Sequence, residues 1–165
     1  MPYLCGLWRF ANAYYHRQVR GKQGNKNTTT EALRKFYERD KYKLLKNDHI
    51  LDNLESLALF WKKVELQDDS FSDDVLKLLS VLHYAPNGMW TYLLSVYFMA
   101  NKDDEGNLED TSLIAFLNKI TAFVWTYAVI RPGVNALRSP AYPEMIKIVN
   151  GEPVEFADYK CESIS

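Results

Sequence analysis

Cysteine is scarce in this sequence: only Cys5 and Cys161 occur among its 165 residues. They lie near opposite ends of the chain, and neither belongs to a Cys-x-x-Cys motif or to a cluster of cysteine and histidine. This argues against a disulfide framework and against a structural zinc site. We therefore expect the protein to work in the reducing environment of the cytoplasm.

Glycine and proline are also scarce, with seven and six residues. A β-sandwich or barrel needs many tight turns, which these two residues usually form, so an all-β fold is disfavoured. Apolar residues make up 47% of the chain and aromatic residues 14%, which is enough to form a buried core. The composition predicts an all-α fold in a single domain.

No uninterrupted hydrophobic run of membrane-spanning length occurs. The longest apolar stretch, residues 113–130, contains Asn118 and Lys119, and the stretch 89–100 is too short for a hydrocarbon layer of about 30 Å. The first residues lack the charged start and the long apolar run of a signal peptide. We expect no transmembrane helix and no membrane partner.

Apolar residues recur at helical spacing through most of the chain. The pattern predicts helices over 4–19, from Thr28 to about residue 45, over 48–66, from Ser72 to a turn at 85–88, over 89–100, over 112–130, and a last one ending at 150. Ser72 and either Asp110 or Thr111 are the expected N-caps, and Thr28 with Glu31 has the form of a capping box.

These helices predict an organisation in two parts. Residues 1–150 would form a bundle of about six or seven helices, interrupted by a flexible loop at 21–27, where the sequence is polar and rich in glycine and asparagine. Residues 151–165 would form a short tail that is irregular or extended. All-α architecture is thus the predicted fold class.

Catalytic motifs are missing as well. His16, His49 and His83 occur singly, without a second metal ligand three or four residues away. The acidic loop at 101–110 lacks the alternating ligands of a calcium-binding loop and is better explained as solvated surface. No nucleophile motif is present. We predict that this chain is not an enzyme and holds neither a metal nor another cofactor.

Charge is distributed unevenly along the chain. Residues 1–46 carry 11 Lys and Arg against 3 Asp and Glu, whereas residues 47–165 carry 9 against 18. The basic segment could bind nucleic acid, since its cations are interleaved with aromatic residues, or it could attract the acidic remainder of the same chain. The candidate nucleic-acid-binding residues are Arg17, Arg20, Lys22, Lys26, Arg34, Lys35 and Arg39.

Four runs of sequence, at 28–40 (TTTEALRKFYERD), 84–92 (YAPNGMWTY), 116–123 (FLNKITAF) and 132–140 (PGVNALRSP), resemble a known family. They are similar to the helical region of bacterial GmrSD-type proteins, which are related to modification-dependent restriction endonucleases. Members of that family carry a ParB/sulfiredoxin-like domain with an Asp-Gly-Gln-Gln-Arg motif and an HNH-type nuclease domain. Neither motif occurs in this sequence, so no catalytic residue is carried over.

The resemblance implies a non-catalytic function for this chain. The chain would be a helical scaffold or linker of a DNA-targeting defence protein, and its partners would be the flanking catalytic domains and possibly DNA. The alternative is a nucleic-acid-binding module that acts through the basic segment at 9–46.

Overall fold

The helical spacing of the sequence is realised in seven α-helices and one 3-10 turn, in a computed structural model that describes residues 3–22, 33–38, 41–131, 133 and 136–156. These elements are α1 (Tyr3–Lys22), α2 (Leu33–Glu38), the 3-10 turn (Leu44–Lys46), α3 (His49–Leu66), α4 (Asp73–His83), α5 (Met89–Asn101), α6 (Asp110–Ile130) and α7 (Arg138–Asn150). The described part contains no strand. The predicted all-α, single-domain bundle is confirmed.

Helix α5 is the centre of this bundle, because its apolar residues surround the helix axis instead of forming one stripe. It contacts α1, α3, α6 and α7, while α4 packs mainly on α6. Leu93, Leu94, Val96 and Phe98 are fully buried. Phe98 stacks on Phe60 of α3 with ring centroids 4.4 Å apart. Much of the aromatic content therefore forms the core.

Two helix starts show how far local sequence determines a cap. Ser72 is the N-cap of α4, as predicted, and its hydroxyl accepts a hydrogen bond from Val75 N. The cap of α6 is Glu109, one residue before the predicted pair, so that prediction is wrong. Its carboxylate accepts bonds from Ser112 N at 2.7 Å and Thr111 N at 2.9 Å. Hydrogen bonds from these two residues lower the pKa of Glu109 to about 2.

The helix predicted from Thr28 to about residue 45 is also wrong in its second half. Helix α2 ends at Glu38, and Lys41 and Tyr42 adopt left-handed φ angles of 49° and 59°. Lys41 N bonds to Glu38 O and Tyr42 N to Tyr37 O, which is the Schellman pattern of a terminated helix. The proposed capping box lies outside the described residues. Nothing local signals this end, because neither Lys41 nor Tyr42 is a glycine.

The C-terminal end of the bundle agrees with the prediction. Helix α7 ends at Asn150, as predicted, and Gly151 is its C-cap, with a φ of 70°. Residues 152–156 follow without regular structure, and Phe156 is buried beside Phe123, with ring centroids 4.7 Å apart. In the loop that was predicted at 21–27, residues 21 and 22 are instead the last two residues of α1. Residues 23–27 and 157–165 lie outside the described part.

Helix α6 bears on the expectation that the chain has no transmembrane helix. In the described part of the chain it is the one helix that is long and apolar enough, by length and composition, to do so. One of its faces is packed into the bundle, with Leu117, Ile120 and Val124 fully buried. Core helices of water-soluble bundles combine the same length and composition.

Candidate functional site

The seven predicted nucleic-acid-binding residues fall into three groups. Arg17 and Lys35 have described side chains: Arg17 is buried, and Lys35 is exposed on α2. Arg20 and Lys22 belong to the backbone of α1 and Arg34 to that of α2, but their side chains lie outside what the structure describes. Lys26 and Arg39 lie outside the described residues altogether. Of these seven residues, Lys35 is therefore the one whose described side chain a phosphate could reach.

Arg17 is part of the interface between α1 and α7. Its side chain is 6% exposed, and Nη1 donates a hydrogen bond of 2.9 Å to Ala13 O one turn earlier. The guanidinium carbon lies 4.6 Å from the centre of the Tyr142 ring, in a cation–π contact. Burial lowers the pKa of Arg17 to about 10, opposed by Tyr142. The position of Arg17 does not support its predicted contact with a phosphate.

Two tyrosines of the basic segment, Tyr37 and Tyr15, form hydrogen bonds between helices instead of a stacking surface. The Tyr37 hydroxyl on α2 donates to Asn12 Oδ1 on α1, and Asn53 Nδ2 on α3 donates to the Tyr15 hydroxyl at 3.2 Å. Burial, and next the neighbouring Tyr15, raise the pKa of Tyr37 to about 12. These phenols therefore stay neutral and fix α2 and α3 on α1. The sequence pattern does not reveal these contacts, because the partners are 25 and 38 residues apart in the chain.

The basic turn, residues 41–46, is an exposed part of the basic segment. Lys41, Lys43 and Lys46 are all exposed. Tyr42 lies among them with 40% of its surface exposed, and its hydroxyl donates to Glu38 Oε1 at 3.2 Å. Cations beside an accessible aromatic ring form the combination that single-stranded nucleic acid contacts. The left-handed backbone at 41 and 42 creates this arrangement, so periodicity could not have revealed it.

The two histidines with described side chains, His49 and His83, do not assemble into a catalytic group. His49 Nδ1 lies 4.0 Å from Asp52 Oδ2, and both side chains are exposed. His83 is the last residue of α4 and stands edge-on to Tyr84. The side chain of His16 is outside the described part. Among the residues that the structure describes, no group of three or more His, Cys, Asp and Glu side chains could hold a metal ion.

A shallow groove lies between α3 and the loop after α5. Its volume is about 170 Å³, and Lys62, Lys63, Asp68 and Glu105 line it together with the apolar Leu59 and Leu66. Small-molecule sites are usually larger, roughly 300–1,000 Å³, and more apolar. The groove therefore has the size for a few water molecules or a small ion, not for a substrate.

Helix α6 carries apolar side chains on its solvent side also. Ala115, Asn118, Ala122, Trp125 and Val129 are all exposed, and we call them the outer stripe. Trp125 is 36% exposed and Val129 81%. Because their spacing alternates between three and four residues, they lie on one face of the helix.

No family model, curated protein or solved structure is significantly similar to this chain. These comparisons neither support nor oppose the resemblance to GmrSD-type proteins. The function of the chain therefore has to be argued from its own surfaces.

Proposed function

We propose that this chain is a non-catalytic helical scaffold of a GmrSD-type DNA-targeting protein in the bacterial cytoplasm. One observation carries the proposal: in two of the runs that resemble the family, 84–92 and 116–123, the described side chains are used for packing and for a helix start. Phe116 and Phe123 lie on the buried face of α6, and Phe116 stacks on Tyr97 with ring centroids 4.0 Å apart. Asn87 Oδ1 accepts a bond from Met89 N at the start of α5. Such residues position helices and do no chemistry.

Two measurements test this scaffold. The flanking reading frame should encode an Asp-Gly-Gln-Gln-Arg domain on one side and an HNH-type domain on the other, in the same gene or its neighbour. The purified chain, supplied with magnesium, nucleoside triphosphate and duplex DNA, should show no turnover. Turnover that persists through repurification and disappears in the His49→Ala or His83→Ala variant would overturn the proposal.

A second candidate function is nucleic-acid binding through the segment 9–46. The observation that favours it is the basic turn, where Lys41, Lys43 and Lys46 surround the accessible Tyr42. Lys35 on α2 and Arg9 on α1 are exposed cations of the same segment. Flexible lysines on a surface turn can each neutralise a phosphate and release its counterion.

We expect the Lys41→Glu/Lys43→Glu variant to weaken binding of labelled single-stranded and duplex DNA. If both lysines contact phosphates, the slope of log K against log salt should fall by about 2. Fluorescence anisotropy over a salt series measures this slope. The charge-matched control is Lys62→Glu/Lys77→Glu on α3 and α4, which should leave the slope unchanged.

Two further variants separate the exposed cations from the buried one. Lys35→Glu should also weaken binding, whereas Arg17→Met, which removes a buried guanidinium, should not. Absence of binding by the unaltered chain at low salt, or equal effects of the basic-turn variant and its control, would end the nucleic-acid hypothesis.

A further inference from the structure

The outer stripe of α6 is opposite the face that packs into the bundle. Leu113, Leu117, Ile120 and Val124 form the buried face. The outer stripe repeats with the three-and-four spacing of a helix that packs along a second helix. Within the described residues, nothing covers Val129, which is 81% exposed, or Ile130, which is 51% exposed. The outer stripe is apolar except for Asn118, so α6 carries exposed apolar surface that its own bundle does not use.

In an antiparallel pair of α6 helices, Trp125 and Asn118 of the outer stripe can each lie opposite an alanine of the other helix. When two α6 helices are laid antiparallel with their outer stripes facing, about a twofold axis at the level of residue 120, position 115 meets position 125 and position 118 meets position 122. Each Trp125 then lies against Ala115 of the other helix, where the small side chain leaves room for the indole. Asn118 is the polar residue within the seam, a type that fixes register between helices. A parallel pair would instead bring indole against indole.

Charge at the two ends of α6 favours the same arrangement. Glu109 and Asp110 lie at its start, and Arg131 follows its last residue; all three are exposed. In the antiparallel pair, position 131 of each helix lies beside 109 and 110 of the other, and the helix dipoles oppose one another. In a parallel pair the carboxylates would meet each other, as would the two arginines.

We propose that the outer stripe is a contact surface for a second copy of this chain, joined by antiparallel packing of the two α6 helices. This inference does not rest on the proposed scaffold function. The twofold arrangement is the commonest in homo-oligomers, because one patch serves both copies.

The size of the surface implies a weak dimer. A helix of 21 residues is about 31 Å long, so one helix seam covers less than the ~800 Å² per partner of a standard interface. Trp125 has the largest side chain of the outer stripe, and tryptophan is a residue type expected of the main contributor to binding. We therefore expect a reversible monomer–dimer equilibrium instead of a permanent dimer.

Sedimentation equilibrium over about a hundredfold range of protein concentration should show this equilibrium. Val129→Glu should shift it to monomer, because the new carboxylate would lie beside Asp110 of the partner. The matched control is Leu51→Glu on α3, where the leucine is 74% exposed, and it should dimerise like the unaltered chain. Ala122→Glu, near the centre of the seam, is a second disrupting variant, and far-UV circular dichroism verifies that each variant is folded.

A charge exchange tests the antiparallel orientation. Arg131→Glu should weaken the dimer, and adding Asp110→Arg in the same chain should restore it, since both pairs of opposite charges are then rebuilt with reversed signs. A monomer at every concentration, or a dimer that tolerates Val129→Glu and Ala122→Glu, would overturn the proposal. Co-sedimentation with phosphatidylcholine vesicles that Val129→Glu abolishes would overturn it as well, since a lipid surface would then cover the stripe.

Discussion

The buried hydroxyl of Ser95 on α5 forms a hydrogen bond with α3. Trp61 Nε1 donates a hydrogen bond of 2.9 Å to Ser95 Oγ, and the same hydroxyl donates to Thr91 O at 2.7 Å. Ser95 is fully buried, so water cannot replace either bond. A serine in the middle of a core helix is usually replaceable by alanine, but this one satisfies the indole of another helix.

We predict that Ser95→Ala lowers the free energy of unfolding by about 1–3 kcal/mol, because the indole N–H is left buried without an acceptor. Urea unfolding followed by circular dichroism measures this loss. Ser80→Ala on α4 is the control and should change stability by less than about 0.5 kcal/mol. In a Trp61→Phe background, Ser95→Ala should cost less. Equal costs in the two backgrounds would contradict the hydrogen bond.

At the scale of residues, the sequence indicated which side chains were cationic or aromatic but not which way they face. Arg17 and Lys35 carry the same charge in the same basic segment, yet one lies under Tyr142 and the other is exposed. Burial of Arg17 depends on α7, more than 100 residues later in the chain. The accessible cation cluster at 41–46 follows from a helix end that no glycine marks. Candidate site residues were therefore the least predictable part of the molecule.

The C-terminal ends of α3 and α7 have the same backbone geometry, although different residues form them. Gln67 and Gly151 follow α3 and α7, with left-handed φ angles of 50° and 70°. Both ends have the Schellman pattern, in which Gln67 N bonds to Val64 O and Gly151 N to Ile148 O. Glycine adopts this conformation without steric cost, whereas a residue with a Cβ is strained. The two positions therefore differ in conformational energy, not in hydrogen bonding.

We predict opposite effects of exchanging side chains at these two ends. Gly151→Ala should lower the free energy of unfolding by about 1 kcal/mol, and Gln67→Gly should raise it by about 0.5–1 kcal/mol. A Cβ at Gly151 would meet no atom within 4 Å, so the loss comes from backbone strain alone. Thermal unfolding of both variants measures the shifts. Changes of the same sign would contradict this explanation.

At the scale of elements, periodicity predicted most helices well, because α3, α4 and α5 have long, regular patterns of apolar residues. Ser72 is the N-cap of α4, as predicted, because its hydroxyl accepts a backbone hydrogen bond and the two aspartates that follow complement the helix dipole. Glu109 was missed because glutamate is an uncommon cap, and two better candidates, Asp110 and Thr111, follow it. The break after α2 was missed because Tyr37 is held by Asn12, which is distant in sequence.

At the scale of the whole molecule, stability should be highest at α5 and lowest at the basic turn. Helix α5 is surrounded by α1, α3, α6 and α7, and most of its residues are buried. Apart from Leu44, which packs against the core, the side chains of the basic turn are exposed, and its backbone hydrogen bonds to described residues are short-range, such as Lys46 N to Tyr42 O at 3.1 Å. Segments with few buried contacts open locally, whereas central elements exchange only when the whole domain unfolds.

We predict that backbone amides at 93–98 exchange with deuterium most slowly and that those at 41–47 exchange fastest among the described residues. Hydrogen exchange with mass spectrometry measures both peptides in one experiment. Phe98→Leu should lower the unfolding free energy by about 1–2 kcal/mol, since it loses the stack on Phe60 and leaves a cavity. Exchange at 93–98 should then accelerate by the factor equivalent to that loss, while 41–47 stays unchanged, because its opening does not require the core to open. Acceleration confined to 41–47 would show that α5 is not the centre of cooperative unfolding.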